Sequence, residues 1–270
     1  MKEFELDLNI GDRKLHIRFD LDSPVHQSIL AELQQTGAYE AATSKFLFRA
    51  LRPGDTFIDV GAHIGFFSLL ASFVVGPDGK VIAVEPTDEN YAQLDHNINL
   101  NKLDHIHPVK SVISDTDGEA TFYLNKDNDG GHALWDPSAH PLNQKTRDNP
   151  ESMTVRSMTL QSLMNDFDCS HVRLIKIDTE GAEAKILRGA RALLKTGAVD
   201  FIIAEVNITG LEEMGETIGG LFTLARELGF VVCLPNKDGS PPILLLSDNT
   251  PDPTYIYNIL LAHPAALASL

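Results

Sequence analysis

Basic residues are scarce in this chain. Lys and Arg total 22 against 38 Asp and Glu, giving a formal net charge of −16 and a pI near 4.9. That balance argues against nucleic acid or an anionic membrane as the main partner, since both need a basic face. Cysteine is scarce too. Cys169 and Cys233 are far apart and form no metal-type spacing, so they read as two reduced thiols. No apolar run approaches the ~20 residues of a membrane span. The start, Met1-Lys2-Glu3-Phe4-Glu5-Leu6-Asp7, alternates charge and apolarity without a signal-peptide core. A soluble, cytoplasmic protein is the expectation. There is no internal repeat and no low-complexity tract. What remains is ordinary: 43% hydrophobic and 22% charged residues over 270 positions, enough for one large core.

Phe4 to Leu8 and Lys14 to Phe19 alternate with period two around Asn9-Ile10-Gly11-Asp12, which predicts a hairpin. Ser28 to Leu51 is helical in pattern, broken at Thr36-Gly37. Arg52-Pro53-Gly54-Asp55 is a turn into the first core strand. The chain therefore divides into an N-terminal hairpin and helices (1–52), a small appendage, and a main domain (53–270). From Asp55 strands and helices alternate: a helix over Asp88 to Asn101, a third strand over His107 to Ile113, a short extra strand over Ala120 to Leu124. The segment of about 125–151 is rich in Asn, Asp, Gly, Pro and His. A structureless stretch this long reads as a lid, and Trp135 within it favours that over disorder. Met153 to Met158 and Thr159 to Met164 lead into a fourth core strand, Val172 to Asp178. A helix (Ala182 to Thr196), a fifth strand (Phe201 to Val206) and a helix ended by Gly229 follow. Phe230 to Leu234 and Tyr255 to Ala262 close the chain as strands, with no helix fitting between them, so they are expected to pair antiparallel. The pattern is that of an α/β protein with a mostly parallel, doubly wound sheet and an antiparallel last strand.

Thr56 to Phe67 is the organising stretch. An apolar strand ends at Asp59, and Gly61 and Gly65 bracket Ala62-His63-Ile64 before an apolar helix. Glycines there let the backbone turn sharply and approach a ligand, and the helix start presents free N–H groups. Twenty positions later Val81-Ile82-Ala83-Val84 ends in Glu85-Pro86, where a ribose-binding carboxylate belongs. The full G-x-G-x-x-G spacing is missing, because His63 stands where a pyrophosphate needs glycine. A ligand with ribose and a carboxylate but no phosphate, such as S-adenosylmethionine, meets no such objection. A βαβ unit that binds nothing is the plain alternative. A second signal is Leu174-Ile175-Lys176-Ile177-Asp178-Thr179-Glu180-Gly181-Ala182-Glu183, a strand ending in an acidic turn beside a lysine set in apolar surroundings. Buried charges are costly unless paired or used, although a helix N-terminus capped by Asp178 or Thr179 also explains the acids.

Asp59 to Gly65, Val84-Glu85-Pro86, Asn97-Ile98-Asn99-Leu100-Asn101 and Ile175 to Glu183, in that order and spacing, resemble the FkbM-type methyltransferases over about Gly54 to Glu205. The family pattern is D-V-G-A-N-I-G, E-P, L-N and K-I-D-V-E-G-A-E. The resemblance implies a Rossmann-like class I S-adenosylmethionine-dependent fold, a seven-stranded sheet of order 3-2-1-4-5-7-6, and O-methylation of sugar or polyketide hydroxyls. Carried over, Asp59, Gly61, Ala62, His63 and Gly65 line the cofactor loop, Glu85 and Pro86 meet the ribose, and Asp178 with Glu180 faces the reacting centre. His63 replaces the usual Asn, and Thr179 the usual Val. By class I analogy Ser111-Val112 borders the adenine, and Tyr39-Glu40 could lie over the methionine end.

Methyl transfer is an in-line displacement, and a hydroxyl acceptor must lose a proton. Asp178 is the base candidate by strand position. His132 and His140 are the alternatives by intrinsic pKa, set against their being solvated loop residues. Trp135 would either wall off the acceptor or anchor the lid. Asp178, Glu205 and Asn207, from adjacent strand ends, would suit Mg²⁺, unless Glu205 merely supports the Lys176 strand. The expected partners are a small-molecule hydroxyl acceptor and a second copy of the chain in a homodimer. Two rival functions stay open: an NAD(P)-dependent oxidoreductase, disfavoured by His63 and the antiparallel last strand, and a non-catalytic nucleoside-binding module.

Overall fold

The computed structural model describes residues 2–140, 142–245 and 256–270. It opens with the expected antiparallel hairpin, β1 (Glu3–Ile10) and β2 (Arg13–Asp20). Helix α1 (Pro24–Thr36) is capped by Ser23, whose hydroxyl accepts from the His26 N–H, and left-handed Gly37 ends it before α2 (Ala41–Ala50). Then come β3 (Thr56–Val60), α3 (Phe66–Val75), β4 (Lys80–Val84), α4 (Asp88–Asn101) and β5 (Ile106–Val109). A side sheet follows: β6 (Val112–Ile113), β7 (Gly118–Leu124), a short α5 (Gln144–Asp148) and β8 (Glu151–Met158). The chain returns through α6 (Leu160–Asp166), β9 (Val172–Ile177), α7 (Glu183–Gly189), α8 (Arg191–Leu194), β10 (Val199–Val206), α9 (Ile208–Glu213) and α10 (Ile218–Glu227). It closes with β11 (Val231–Leu234), β12 (Ile243–Leu244), β13 (Tyr257–Ala262) and α11 (Pro264–Leu267). No helix among the described residues is long and apolar enough to cross a membrane.

The main sheet has the order β12-β11-β13-β10-β9-β3-β4-β5. Strands β5, β4, β3, β9 and β10 are parallel, while β13 runs antiparallel to both β10 and β11. Leaving β12 aside, this is the 3-2-1-4-5-7-6 order, and the expected antiparallel pairing of the last two long strands is present. The sheet has eight strands rather than seven, because two-residue β12 adds to the β11 edge. Tyr255, the expected start of the last strand, lies outside the described residues, as does Leu246 of the preceding loop.

Three other expectations change. The strand over His107 to Ile113 breaks at Lys110-Ser111, and Val112-Ile113 leaves the main sheet to pair parallel with β8. The helix over Ala182 to Thr196 breaks at Ala190 into α7 and α8. The segment of about 125–151 is not structureless. Asn125 Oδ1 accepts from the N–H groups of Asp127 and Asn128 and from Thr146 Oγ1, and Asp127 accepts from Lys145 and Thr146. Asn and Asp side chains here replace the missing ladder bonds.

Residues alternate between two cores, one on each face of the sheet. Ile58, Ile175 and Ile202 face α6, α7 and α10. Phe57, Leu174 and Phe201 face α2 and α3, and Leu15, Ile17 and Phe19 of the N-terminal hairpin belong to that same core. By the same alternation Asp59, Lys176 and Glu205 fall on the α2–α3 face. Asp59 is opposite Lys176, Lys176 opposite Ile203, and Glu205 opposite Asn258. A polar belt thus crosses the sheet near its carboxyl edge, where open α/β folds bind ligands.

Candidate active site

The β3–α3 turn is fixed by its neighbours. The N–H groups of Gly61 and Ala62 both donate to the Val84 carbonyl, at 3.0 and 2.9 Å. Gly61 has φ +80°, and a Cβ there would sit 1.9 Å from the Asp178 carbonyl oxygen. Its glycine requirement therefore comes from the exit of β9 pressing on the turn, as well as from any ligand. Gly65 is different. A Cβ there would meet Leu94 at 2.5 Å, so Gly65 serves packing and does not line the cavity. Asp59 does not line it either. Its carboxyl, 1% exposed, accepts from Ser68 Oγ at 2.7 Å, and burial raises its pKa. In this structure both residues support the loop from behind the cavity wall.

Glu85 is buried and holds the turn from below. One oxygen accepts from the His63 N–H at 3.0 Å, and the other from the N–H and hydroxyl of Thr87. The oxygen facing His63 keeps a lone pair for a hydroxyl in the cavity. Burial raises this carboxyl above the usual range. Pro86, Ser111 and Val112 line the same end. The Ser111 hydroxyl is already committed to the carbonyls of Val112 and Arg156.

The other end is the acidic belt. Lys176 Nζ lies 2.6 Å from Asp178 and 4.8 Å from the Phe67 ring centroid. Burial works against this ammonium, but Asp178, Glu40 and Asp59 outweigh it and hold the pKa above the usual lysine range. Burial, then Asp178, pushes Glu180 up to about 8. Burial with Asp178 and Glu180 raises Glu205 well above the carboxylate range. Glu180 is left-handed at φ 56° and accepts from the Asn207 amide. Glu183 closes the turn: one oxygen accepts from the N–H groups of Thr179 and Gly181 and from the Thr179 hydroxyl. Burial pushes Glu183 up to about 7.

The Asp178, Glu205 and Asn207 set does not suit Mg²⁺. Asp178 is paired with Lys176, and Asn207 gives its amide N–H to Glu180 and its oxygen to the Gly210 N–H. His26, His63 and Asp129 do converge, with both histidine Nε2 atoms under 4 Å from the Asp129 carboxylate. The His26 hydrogen bond points away from metal binding. His26 Nδ1 accepts from the Asp20 N–H at 2.8 Å, so the neutral ring carries its proton on Nε2, which faces Asp129. His132 is fixed the same way by the Asn125 N–H, also at 2.8 Å. Its Nε2 is a donor, and His132 is corrected from proton acceptor to hydrogen-bond donor. Burial lowers the pKa of His26 and His132, and burial with the neighbouring His26 pushes His63 down to about 4. His140 is outside the cavity lining. The Trp135 indole N–H donates to the Glu180 carbonyl at 2.6 Å, so Trp135 anchors the lid and does not line the cavity.

These groups enclose one cavity of about 510 Å³, lined at one end by Gly61, Ala62, His63 and Glu85 and at the other by Tyr39, Glu40, Asp178, Glu180 and Glu205. That volume suits a nucleoside-sized ligand with space beside it. A family model described as the methyltransferase FkbM domain matches residues 59–232, more than half of the chain. The chain belongs to the FkbM methyltransferase family. Among characterised relatives of this FkbM chain, the arsenite methyltransferase of Halobacterium salinarum is 39% identical over 59 residues, 22% of this chain and 15% of that protein. The hexuronic acid methyltransferase AglP of Haloferax volcanii is 23% identical over 164 residues, 60% of each chain. Both matches span less than two thirds of the relative's own length. Among solved structures, the methyltransferase FkbM of Methylobacillus flagellatus KT is 13% identical, covering 88% of this chain and 59% of that one, with a TM-score of 0.46. The family assignment rests on the sequence match.

Several lining residues of this FkbM chain carry no motif. Pro24, Val25, Ser28 and Ile29 of α1 and Asp127 to Gly130 of the lid close the cavity from outside. Asp129 ties these parts together. It accepts from Ser23 Oγ, and its carbonyl accepts from the Asn90 amide. The sequence reading began this helix at Ser28 and missed its first turn, for which the Ser23-Pro24 cap and N1 pair is the available signal.

Proposed function

We propose that the protein is an S-adenosylmethionine-dependent O-methyltransferase acting on a hydroxyl of a small sugar-type or natural-product acceptor. The observation that carries the reading is the joining of Glu85 and the Gly61 turn with the Asp178–Glu205 belt in one cavity at the carboxyl edge of a 3-2-1-4-5-7-6 sheet. Glu85 would hold the ribose hydroxyls, Ser111 and Val112 would border the base, and Tyr39 with Glu40 would cover the amino-acid end. The donor supplies a methyl group activated on a sulfonium. The chain supplies alignment and removes the acceptor proton. Glu180 is the better proton acceptor. Asp178 is already paired with Lys176, whereas Glu180 at about 8 is matched to a hydroxyl losing its proton near neutrality. The antiparallel β13 and the non-glycine His63 speak against the oxidoreductase alternative.

The test is methyl transfer from labelled S-adenosylmethionine to a hydroxylated acceptor set, followed against pH. Glu180 must be ionised to accept a proton, so the rate should climb as pH rises through about 8 and then level. Glu180→Gln should lose about 10²-fold or more in kcat and the pH dependence with it. An unchanged profile in that variant would remove Glu180 from the role.

A further inference from the structure

The reacting end of the cavity is lined by carboxyl groups with one committed cation, and this narrows the acceptor class. Seven carboxylic residues line the cavity: Glu40, Glu85, Asp127, Asp129, Asp178, Glu180 and Glu205. Among the described residues, Lys176 is the only lysine or arginine in that lining. The stretch from Leu246 to Tyr255, next to the lining residue Ile256, contains neither Lys nor Arg. Lys176 itself is committed: it is 3% exposed, 2.6 Å from Asp178, and lies over the Phe67 ring. Glu40 faces it from the loop before α2, held there by the Asn258 amide at 2.6 Å. Glu205 keeps a buried oxygen with no partner. The cavity histidines are held neutral by burial and cannot balance these acids.

We propose that this end is built for cationic and uncharged groups, so that the acceptor is a neutral or amine-bearing polyhydroxyl compound with no anionic group near the reacting hydroxyl. An anion placed here would be desolvated without a free cation to pair with. Carboxyls and carboxylates are instead good partners for hydroxyls and ammonium groups. Specificity arises from the rejected class as much as from the accepted one. The uronate named in the Haloferax relative's description is of the rejected class, so this chain and that relative would part at the acceptor. The inference rests on the donor reading above, which puts the sulfonium beside the belt.

The test uses the full chain in two arms. In the first, S-adenosylhomocysteine and sinefungin are titrated calorimetrically. They share both ends and differ at the transferring position, which is a neutral sulfur in one and an amine-bearing carbon in the other. Sinefungin should bind at least about tenfold tighter than S-adenosylhomocysteine. Equal affinities, or a preference for S-adenosylhomocysteine, would overturn the charge proposal while leaving the donor site standing. Binding of neither would sink the donor reading itself. In the second arm, matched methyl glycosides of glucose, glucosamine and glucuronate compete as acceptors. Transfer favouring either of the first two supports the proposal, and transfer favouring the uronate contradicts it.

Discussion

At the scale of single residues, Glu183 shows how a side chain in the family motif can be structural. It is fully buried, and one oxygen gathers three donors while the other has none. Its pKa is pushed up to about 7 by burial, above the 4.5 of a free glutamate. Below pH 4.5 both folded and unfolded chains hold the proton, and the site costs nothing. As pH rises from 4.5 to 7 the unfolded chain releases the proton first, so stability from this group falls, and it levels off above 7. Glu183→Gln keeps an oxygen for the turn and removes the charge. It should raise stability at pH 8 by on the order of 1–3 kcal/mol and flatten the pH dependence between 5 and 7, measured by urea unfolding. A loss of stability at pH 8 would mean that the ionised form is the one the fold favours. The motif letter was readable in the sequence. Its role was not, because a cap and a catalytic acid occupy the same position after a strand.

At the scale of elements, the strands that carry Asp59, Glu85, Asp178 and Glu205 were legible because apolar runs ending in an acid mark the carboxyl edge of a parallel sheet. That Asp59, Lys176 and Glu205 share one face was not legible, because these strands are apolar on both faces and only the pairing register sets the face. The lid was harder. Its order comes from Asn125 and Asp127 side chains bonding to backbone N–H groups, and polar composition alone does not distinguish such a network from a disordered loop. Likewise Asp129 and α1 meet at the cavity through tertiary packing, which leaves no spacing to read. Trp135 was open between walling the site and anchoring the lid, and its indole N–H on the Glu180 carbonyl decides for the anchor. Trp135→Phe keeps the ring and removes the donor. It should cost about 1 kcal/mol in global stability. Limited proteolysis should cut the lid several-fold faster, and KM for the acceptor should rise more than kcat falls. Unchanged lid cleavage would show that the hydrogen bond does not hold the lid.

At the scale of the whole molecule, the excess of acidic over basic residues has a local counterpart in the carboxyl belt around Lys176. Strand–helix alternation led only to a mostly parallel sheet with an antiparallel closing strand, the strand order itself came from the family resemblance, and the extra strand escaped notice because β12 is only two residues long. The proposed function joins the two ends of the cavity in one claim, an adenosine-type methyl donor with its ribose at Glu85. The most direct test is calorimetric titration of the full chain with S-adenosylhomocysteine, beside the Glu85→Ala variant. Saturable one-to-one binding to the unmodified chain, weakened at least about tenfold in the variant, is the expected result. No heat of binding at high micromolar ligand, or equal affinity in the two proteins, would contradict it.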